Sequence, residues 1–280
     1  MNNTSDLKVM MVAGAGHSGS TLLGMILGSH SQAFYMGEGG KARYLGDASK
    51  PMRKRVCKIC GEDCPIWSDF VWNQDAALHA QVARHVGKTI IVDTTKKDLW
   101  INARADELRE IGAKPHLILL TRDGRAVVNS RIRKYPERDP AKQIDDWMAQ
   151  MQRSETVFEN FDGPKLKVRY EELSTATEKV AREICQLLEI DFEPAMLRFA
   201  QTDHHVLGGN SGTQFIAARE RFDDPDKAFV SLNDRTRTYY KDHHGGIELD
   251  LRWKRELSME HTALFDQLAG SYNESMKWEA

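Results

Sequence analysis

Three glycines and four side chains bearing a hydroxyl or an imidazole fall within Gly14-Ala15-Gly16-His17-Ser18-Gly19-Ser20-Thr21. Glycines at this spacing let backbone N–H groups turn toward one point. The hydroxyls and the imidazole add donors, so the chemistry on offer is anion binding. Three readings of the string stay open. Gly14-x-Gly16-x-x-Gly19 fits the dinucleotide fingerprint, and Glu38 stands about twenty residues on, where an acid would hold a ribose hydroxyl. Gly14, Gly19 and Thr21 also fit G-x-x-x-x-G-K-S/T, with Ser20 in place of the lysine that a nucleotide triphosphatase needs. The plainest reading is a tight turn in which glycine supplies positive φ.

A second cluster of donors lies at Arg122-Asp123-Gly124-Arg125-Ala126-Val127-Val128-Asn129-Ser130-Arg131. Arg122 precedes the helix that this stretch starts and Ser130 sits two turns into it, so both can turn toward one set of ligand oxygens. Arg131 reads as a solvated helix charge, and Arg125 is divided between that fate and ligand binding. Asp93-Thr94-Thr95-Lys96 offers a cation, Lys96, that would neutralise charge developing on a transferring group unless it is merely solvated. Cys57-x-x-Cys60-x-x-x-Cys64 presents three thiols. They would ligate zinc if His79 or His85 supplied a fourth ligand; the alternative is a local structural element, and on sequence alone no metal is assigned. His204-His205 and His243-His244 lack the carboxylate spacing of a metal site, and Arg53-Lys54-Arg55 reads as a solvated loop.

The elements that must position these groups follow from hydrophobic periodicity. A continuous apolar run from Leu7 to Ala13 reads as a buried strand ending at Gly14, and Leu22 to Leu27 as an apolar helix. A second strand is expected at Thr89–Val92, with a helix from Leu99 to Ile111 stopped by Gly112, and a third at His116–Thr121 with a helix through Ile132. Longer helices are expected over Ala141–Phe161, with Ile144, Trp147, Met151 and Phe158 at helical spacing, and over Thr177–Leu188, with a fourth strand at Lys165–Tyr170 between them. Strand, polar turn and helix recur three times, which predicts an α/β fold with a central parallel sheet flanked by helices in three layers. All three polar turns then share the rim at the carboxyl ends of the strands, where such sheets bind ligands. From His204 to about Gly246 the pattern lapses into a long loop or lid, about residues 201–246.

The chain has 280 residues, 41% hydrophobic and 29% charged, and no linker or repeat that divides it, so one domain over 1–280 is expected. A net charge of −2 draws in no nucleic acid globally. No window approaches a membrane span, the first residues lack a signal-peptide pattern, and the cysteines suit a reducing compartment. A cytoplasmic protein without a membrane or nucleic-acid partner is expected.

Gly14 to Leu23 followed by Arg122 to Ser130 resembles the sulfotransferase family that uses 3′-phosphoadenosine 5′-phosphosulfate, PAPS. In that family the first loop, typically Arg- or Lys-Ser-Gly-Thr/Ser-Thr, binds the 5′-phosphosulfate, and Arg-Asp-x-Arg-x-x-x-x-Ser binds the 3′-phosphate. Asp93-Thr94-Thr95-Lys96 is similar to the Asp-Ser-Ser-Lys turn of many bacterial members. The resemblance implies a P-loop-like fold. It implies PAPS as co-substrate and PAP as product, held by Gly16, His17, Ser18, Gly19, Ser20, Thr21, Arg122 and Ser130. Gly208-Gly209-Asn210 resembles the family's late Gly-Asn loop, adding Gly209 and Asn210. Ser211-Gly212-Thr213 stands where Met-Arg or Arg often follows, leaving Arg219 or Arg221 to take over.

The resemblance also implies roles in catalysis. Glu38 matches a Gly-Glu whose carboxylate acts as base, with Asp93 as runner-up, and Lys96 would contact the sulfonate. His17 replaces an Arg or Lys. Next to a multiply charged anion it would be protonated and stabilise the leaving oxygen of PAP, or it stays neutral and only hydrogen-bonds the loop. Cys64-Pro65-Ile66-Trp67 is similar to a bacterial Cys-Pro-Phe/Trp segment beside the acceptor site, within an acceptor-side insertion of about residues 35–88. Acceptor contacts are expected from Tyr35 to Tyr44, the cysteine segment, the helix around Trp147 and the late loop. The acceptor would be a small molecule, sulfated on a hydroxyl or an amine. The rival functions are a P-loop nucleotide kinase, which Ser20 argues against, and an inactive nucleotide-binding homologue.

Overall fold

Val9, Met10, Met11, Val12 and Ala13 are all buried, and such a run makes a strand only where both faces of a sheet are covered. The computed structural model describes residues 4–222, 228–230, 232, 237, 239–240 and 246–279. Its strands are β1 (Lys8–Gly14), β2 (Ala33–Gly37), β3 (Ile90–Asp93), β4 (Lys114–Thr121) and β5 (Lys165–Arg169). They form one parallel sheet in the order β2-β3-β1-β4-β5. The chain winds to one side of β1 through β2 and β3 and to the other through β4 and β5. A ligand crevice is expected where that direction reverses, beyond the strands' carboxyl ends. Register brings those ends together: Met11 pairs with Asp93, Gly14 with Leu120, and Thr121 with Arg169.

The helices are α1 (Ser20–Gly28), α2 (Met52–Arg55), α3 (Leu78–Val86), α4 (Asp98–Glu110), α5 (Gly124–Lys134), α6 (Pro140–Asn160), α7 (Tyr170–Thr175), α8 (Thr177–Leu187), α9 (Ser211–Arg221) and a last long helix, Met259–Asn273. Every residue of α1 from Ser20 to Leu27 is buried, as a helix apolar all round must be. It packs on β2 and β3 on one side and on residues 194–201 and α9 on the other. α6 turns the stripe Ile144, Trp147 and Met151 inward over β1 and β4. One hydrophobic cluster runs from Leu7 to Met276.

The structure departs from the sequence expectations in three places. A strand not expected from the sequence, β2, lies between α1 and Glu38; Ala33-Phe34-Tyr35-Met36 is apolar and aromatic but too short to show a period. The stretch read as a lid contains α9, which Asn210 caps by accepting a hydrogen bond from Thr213 N, with Phe215, Ile216, Ala217 and Ala218 buried. Residues 223–227, 233–236 and 241–245, and with them His243-His244, lie outside the described residues. Trp147 is fully buried against Phe265 and Tyr272, with ring centroids at 5.5 and 5.7 Å, so it builds the core and not an acceptor site.

Candidate active site

The loop after β1 is held in a conformation that most residues avoid. Gly19 has φ 90°, and a Cβ there would collide with the Tyr170 ring. His17 adopts φ 74° although it carries a side chain, at a cost of about 1–3 kcal/mol. Left-handed residues set within a turn aim successive N–H groups at one concavity, a nest for an anion. α1 then opens at Ser20 with no side-chain cap on its first turn, so those N–H groups face the same concavity. Gln150 braces the loop by accepting hydrogen bonds from Gly16 N (3.1 Å) and from the Arg131 guanidinium (2.7 Å).

Beyond the loop lies a cleft of about 210 Å³ that reaches all five strand ends. Gly16, His17, Gly19, Ser20 and Thr21 line it, with Glu38, Lys96, Arg122, Ser130, Gly209 and Asn210. Of the residues expected to bind the donor, Ser18 does not line it; that side chain is 1% exposed and its Oγ has no partner. The two anion motifs meet directly, with His17 Nδ1 2.9 Å from Ser130 Oγ. Arg122 donates to His17 O at 3.1 Å and lies 4.0 Å over the Tyr170 ring. Asn210 N donates to Thr21 Oγ1 at 2.8 Å, which fixes the late Gly-Asn loop against α1.

Lys96 crosses the cleft floor to donate to Ser20 Oγ at 3.0 Å. An ammonium therefore sits on the loop although the loop itself lacks a lysine. Glu38 faces Lys96 and pairs with Lys41 at 2.9 Å. Burial works against its ionisation, but Lys96 and Lys41 outweigh that and hold the carboxyl below its usual range. Burial, countered in part by Glu38 and Asp93, draws the Lys96 ammonium down. Asp93 accepts hydrogen bonds from Gly39 N (3.0 Å), Thr95 N (2.8 Å) and Trp100 Nε1 (2.9 Å) and contacts His79 Nε2 at 3.0 Å. With its oxygens so engaged it anchors the turns after β2 and β3 and is a poor second candidate for the base.

The surroundings of His17 favour its neutral form. Burial, followed by the charges of Lys134, Arg131, Arg122 and Lys96, pushes its pKa down to about 3. Any protonated role has to be induced by an anion that outweighs those cations.

Several side chains have other places than the sequence suggested. Arg125 is clamped by Asp123 (2.7 Å) and stacks 4.2 Å over Trp253, and Arg131 is half-buried on Gln150, so neither is a free surface charge. Arg219 donates to Tyr240 O and Arg221 to Cys60 Sγ, and neither lines the cleft. The late cation is Arg252, which lines the cleft beside Asp250 and stacks 3.6 Å over the Tyr239 ring. Asp250 in turn meets Arg122 at 3.4 Å. Lys134 also lines the cleft; it lies one turn beyond Ser130 on the same helix face, a signal the sequence carried. Asp250 and Arg252 carried none, since nothing local marks them as partners of Arg122. Tyr35 is 1% exposed and hydrogen-bonded to Thr94, so it is core rather than acceptor contact.

The sulfotransferase family profile matches residues 10–194. A search of curated protein sequences finds no match. Among solved structures the chain is similar to the sulfotransferase domain from the Synechococcus PCC 7002 olefin synthase, with a TM-score of 0.55 and 18% identity over 94% of each chain. It is also similar to the sulfotransferase domain from the curacin biosynthetic pathway, with a TM-score of 0.52 and 18% identity over 93% of this chain and 96% of that one. Mouse sulfotransferase SULT7A1, solved in complex with PAP, gives a TM-score of 0.52 and 12% identity over 98% of this chain and 89% of that one. At such identities these likenesses speak for the fold.

Proposed function

The chain belongs to the sulfotransferase family, and from that premise we propose that it moves a sulfuryl group from PAPS to a hydroxyl or amine of a small-molecule acceptor and releases PAP. One observation carries the reading: the nest of the first loop and the Arg122–Ser130 motif are joined at His17 in a single cleft, with Glu38 and Lys96 beside them. Two anion sites on one cleft suit a ligand with two separated phosphate groups. ATP, whose phosphates form one chain, leaves the second site without a partner.

In the in-line reaction the acceptor oxygen or nitrogen attacks sulfur, the bond from sulfur to the bridging oxygen breaks, and that oxygen leaves on the 5′-phosphate of PAP. Glu38 takes the acceptor proton; it is ionised and so able to accept one. Lys96, seated on Ser20, neutralises charge building on the sulfonate and the bridging oxygen. His17 faces the leaving phosphate and, once the ligand's charge has protonated it, stabilises that oxygen. Phe199 and Ile216 give the cleft an apolar side for the acceptor. The setting is cytoplasmic, and among the described residues no helix is long and apolar enough to cross a membrane.

The test is calorimetric titration of PAP into wild type and Arg122→Ala, with ATP as competitor and no metal added. Tight PAP binding that Arg122→Ala weakens and ATP does not match is the expected result. Preference for ATP, or indifference to Arg122, overturns the proposal.

A further inference from the structure

Cys57, Cys60, Cys64 and His205 bring four ligand atoms within 4.8 Å of one another, and none of the four lines the cleft. His79 and His85, the partners that spacing suggested, are elsewhere: His79 contacts Asp93, and His85 contacts Ile66 O at 2.8 Å. His205 Nδ1 instead lies 3.2 Å from Cys60 Sγ and 3.3 Å from Cys64 Sγ. Its other nitrogen, Nε2, faces Asp203 at 3.3 Å. That is how a metal-ligating histidine is oriented, one nitrogen for the ion and the other held by a carboxylate.

The thiol turn has matching features. Ile59 N and Cys60 N both point at Cys57 Sγ, at 3.4 and 3.5 Å, and Gly61 closes the turn at φ 79°. Backbone N–H groups aimed at sulfur stabilise a thiolate, the form that binds metal. Cys57 and Cys64 are 0% exposed and His205 is 6% exposed, which leaves little room for water or substrate as a further ligand. Sulfurs at about 2.3 Å from a tetrahedral ion lie about 3.8 Å apart, within the observed spread. Three thiolates on a divalent ion leave one negative charge, and the Arg221 guanidinium donates to Cys60 Sγ at 3.1 Å to meet it.

We propose that Cys57, Cys60, Cys64 and His205 bind a structural zinc ion that fastens the 57–64 loop to the 203–210 segment. Three cysteines and one histidine, all buried but the half-buried Cys60, are the donors that zinc favours over magnesium or calcium. The three thiols release their protons to solvent as the ion binds. The fastening has a direction: Lys58 N donates to Val206 O at 2.9 Å, Leu207 N to Met36 O at 2.9 Å, and Asn210 N to Thr21 Oγ1. The ion would therefore hold one end of the strap whose other end, Gly209 and Asn210, forms a wall of the cleft. This inference does not depend on which ligand that cleft takes.

The experiment is metal analysis of the full chain purified under reducing conditions, followed by removal of metal and titration with Zn²⁺ or Co²⁺ alone. One zinc per chain is expected. The Co²⁺ form should show the intense visible bands and thiolate charge transfer of a tetrahedral sulfur-rich site. Cys64→Ser should lose the charge transfer in part and most of the zinc, and Asp203→Asn should weaken zinc binding about 10- to 100-fold while keeping the ligand spectrum. Metal removal should raise amide exchange at Val206, Leu207 and Asn210 severalfold. The proposal is overturned by wild type that binds neither ion, by Cys64→Ser that binds zinc as tightly as wild type, by a disulfide among these cysteines in place of metal, or by unchanged exchange on metal removal.

Discussion

His17 Nδ1 and Ser130 Oγ lie 2.9 Å apart, 113 residues removed in sequence, and so join the loop after β1 to the helix after β4. Burial and four cations hold His17 near pKa 3, against a usual 6.5. PAP brings several negative charges to that contact, so its binding should raise the His17 pKa and take up a proton. With the free value depressed, PAP affinity is flat above the bound-state pKa and rises as pH falls below it toward 3, by up to about tenfold per unit. Calorimetry at pH 6 in buffers of different ionisation enthalpy should report net proton uptake in wild type and none in His17→Asn. Equal uptake in both would assign the proton elsewhere.

Glu38→Gln keeps the size of the side chain and removes the proposed proton acceptor. Turnover with PAPS and an accepted acceptor should fall about 10²- to 10⁴-fold, while the dissociation constant for PAP stays within a few-fold of wild type. A variant that keeps full turnover excludes Glu38 as the base.

Asp250 competes for Arg122, at 3.4 Å, and is itself chelated by Arg252 at 2.7 and 2.8 Å. Asp250→Asn frees two guanidinium groups for an incoming phosphate. PAP should bind about two- to fivefold tighter, the scale of one partly exposed ion pair, and its affinity should fall more steeply with salt. Titrations at two salt concentrations read both effects; weaker binding would mean that Asp250 positions Arg122 rather than competing for it.

Gly19→Ala forces a side chain onto the Tyr170 ring at φ 90°. The chain should lose about 1–3 kcal/mol, seen as a melting temperature lower by several degrees, and PAP binding should weaken with it.

Asp93 carries an acid-stability signature. Burial opposes its ionisation, but hydrogen bonds with His79, Thr95 and Trp100 outweigh that and set its pKa at about 2, against a usual 3.8. A depressed carboxylate adds stability that is present above about 3.8 and is lost as pH falls toward 2. Asp93→Asn should therefore be less stable than wild type at neutral pH, with the gap in denaturant midpoint closing between pH 4 and 2. A constant gap would assign the loss to packing alone.

Sequence by itself determined what depends on neighbours along the chain. The continuous apolar runs of β1, β3 and β4 announce buried parallel strands, because a strand covered on both faces must be apolar at every position. The glycine loop, Arg122 and Lys96 were legible because each sits in the turn after a strand that the sequence announces, and parallel strands put those turns on one rim; Glu38 was legible only through its resemblance to a Gly-Glu motif, since β2 before it was not. Tertiary structure alone decided which partners face each other across that rim. Lys96 reaches Ser20 over 76 residues, and Asp250 meets Arg122 over 128. His205 completes the cysteine cluster over 141 residues from Cys64. No local spacing encodes such pairs, since they follow from strand order and from the return of the 203–252 segment over the sheet's carboxyl edge. The charge state of His17 belongs there too: its type was known from the sequence, but the burial and the four cations that set its proton come from the turns after β3 and β4 and from α5, folded into one place.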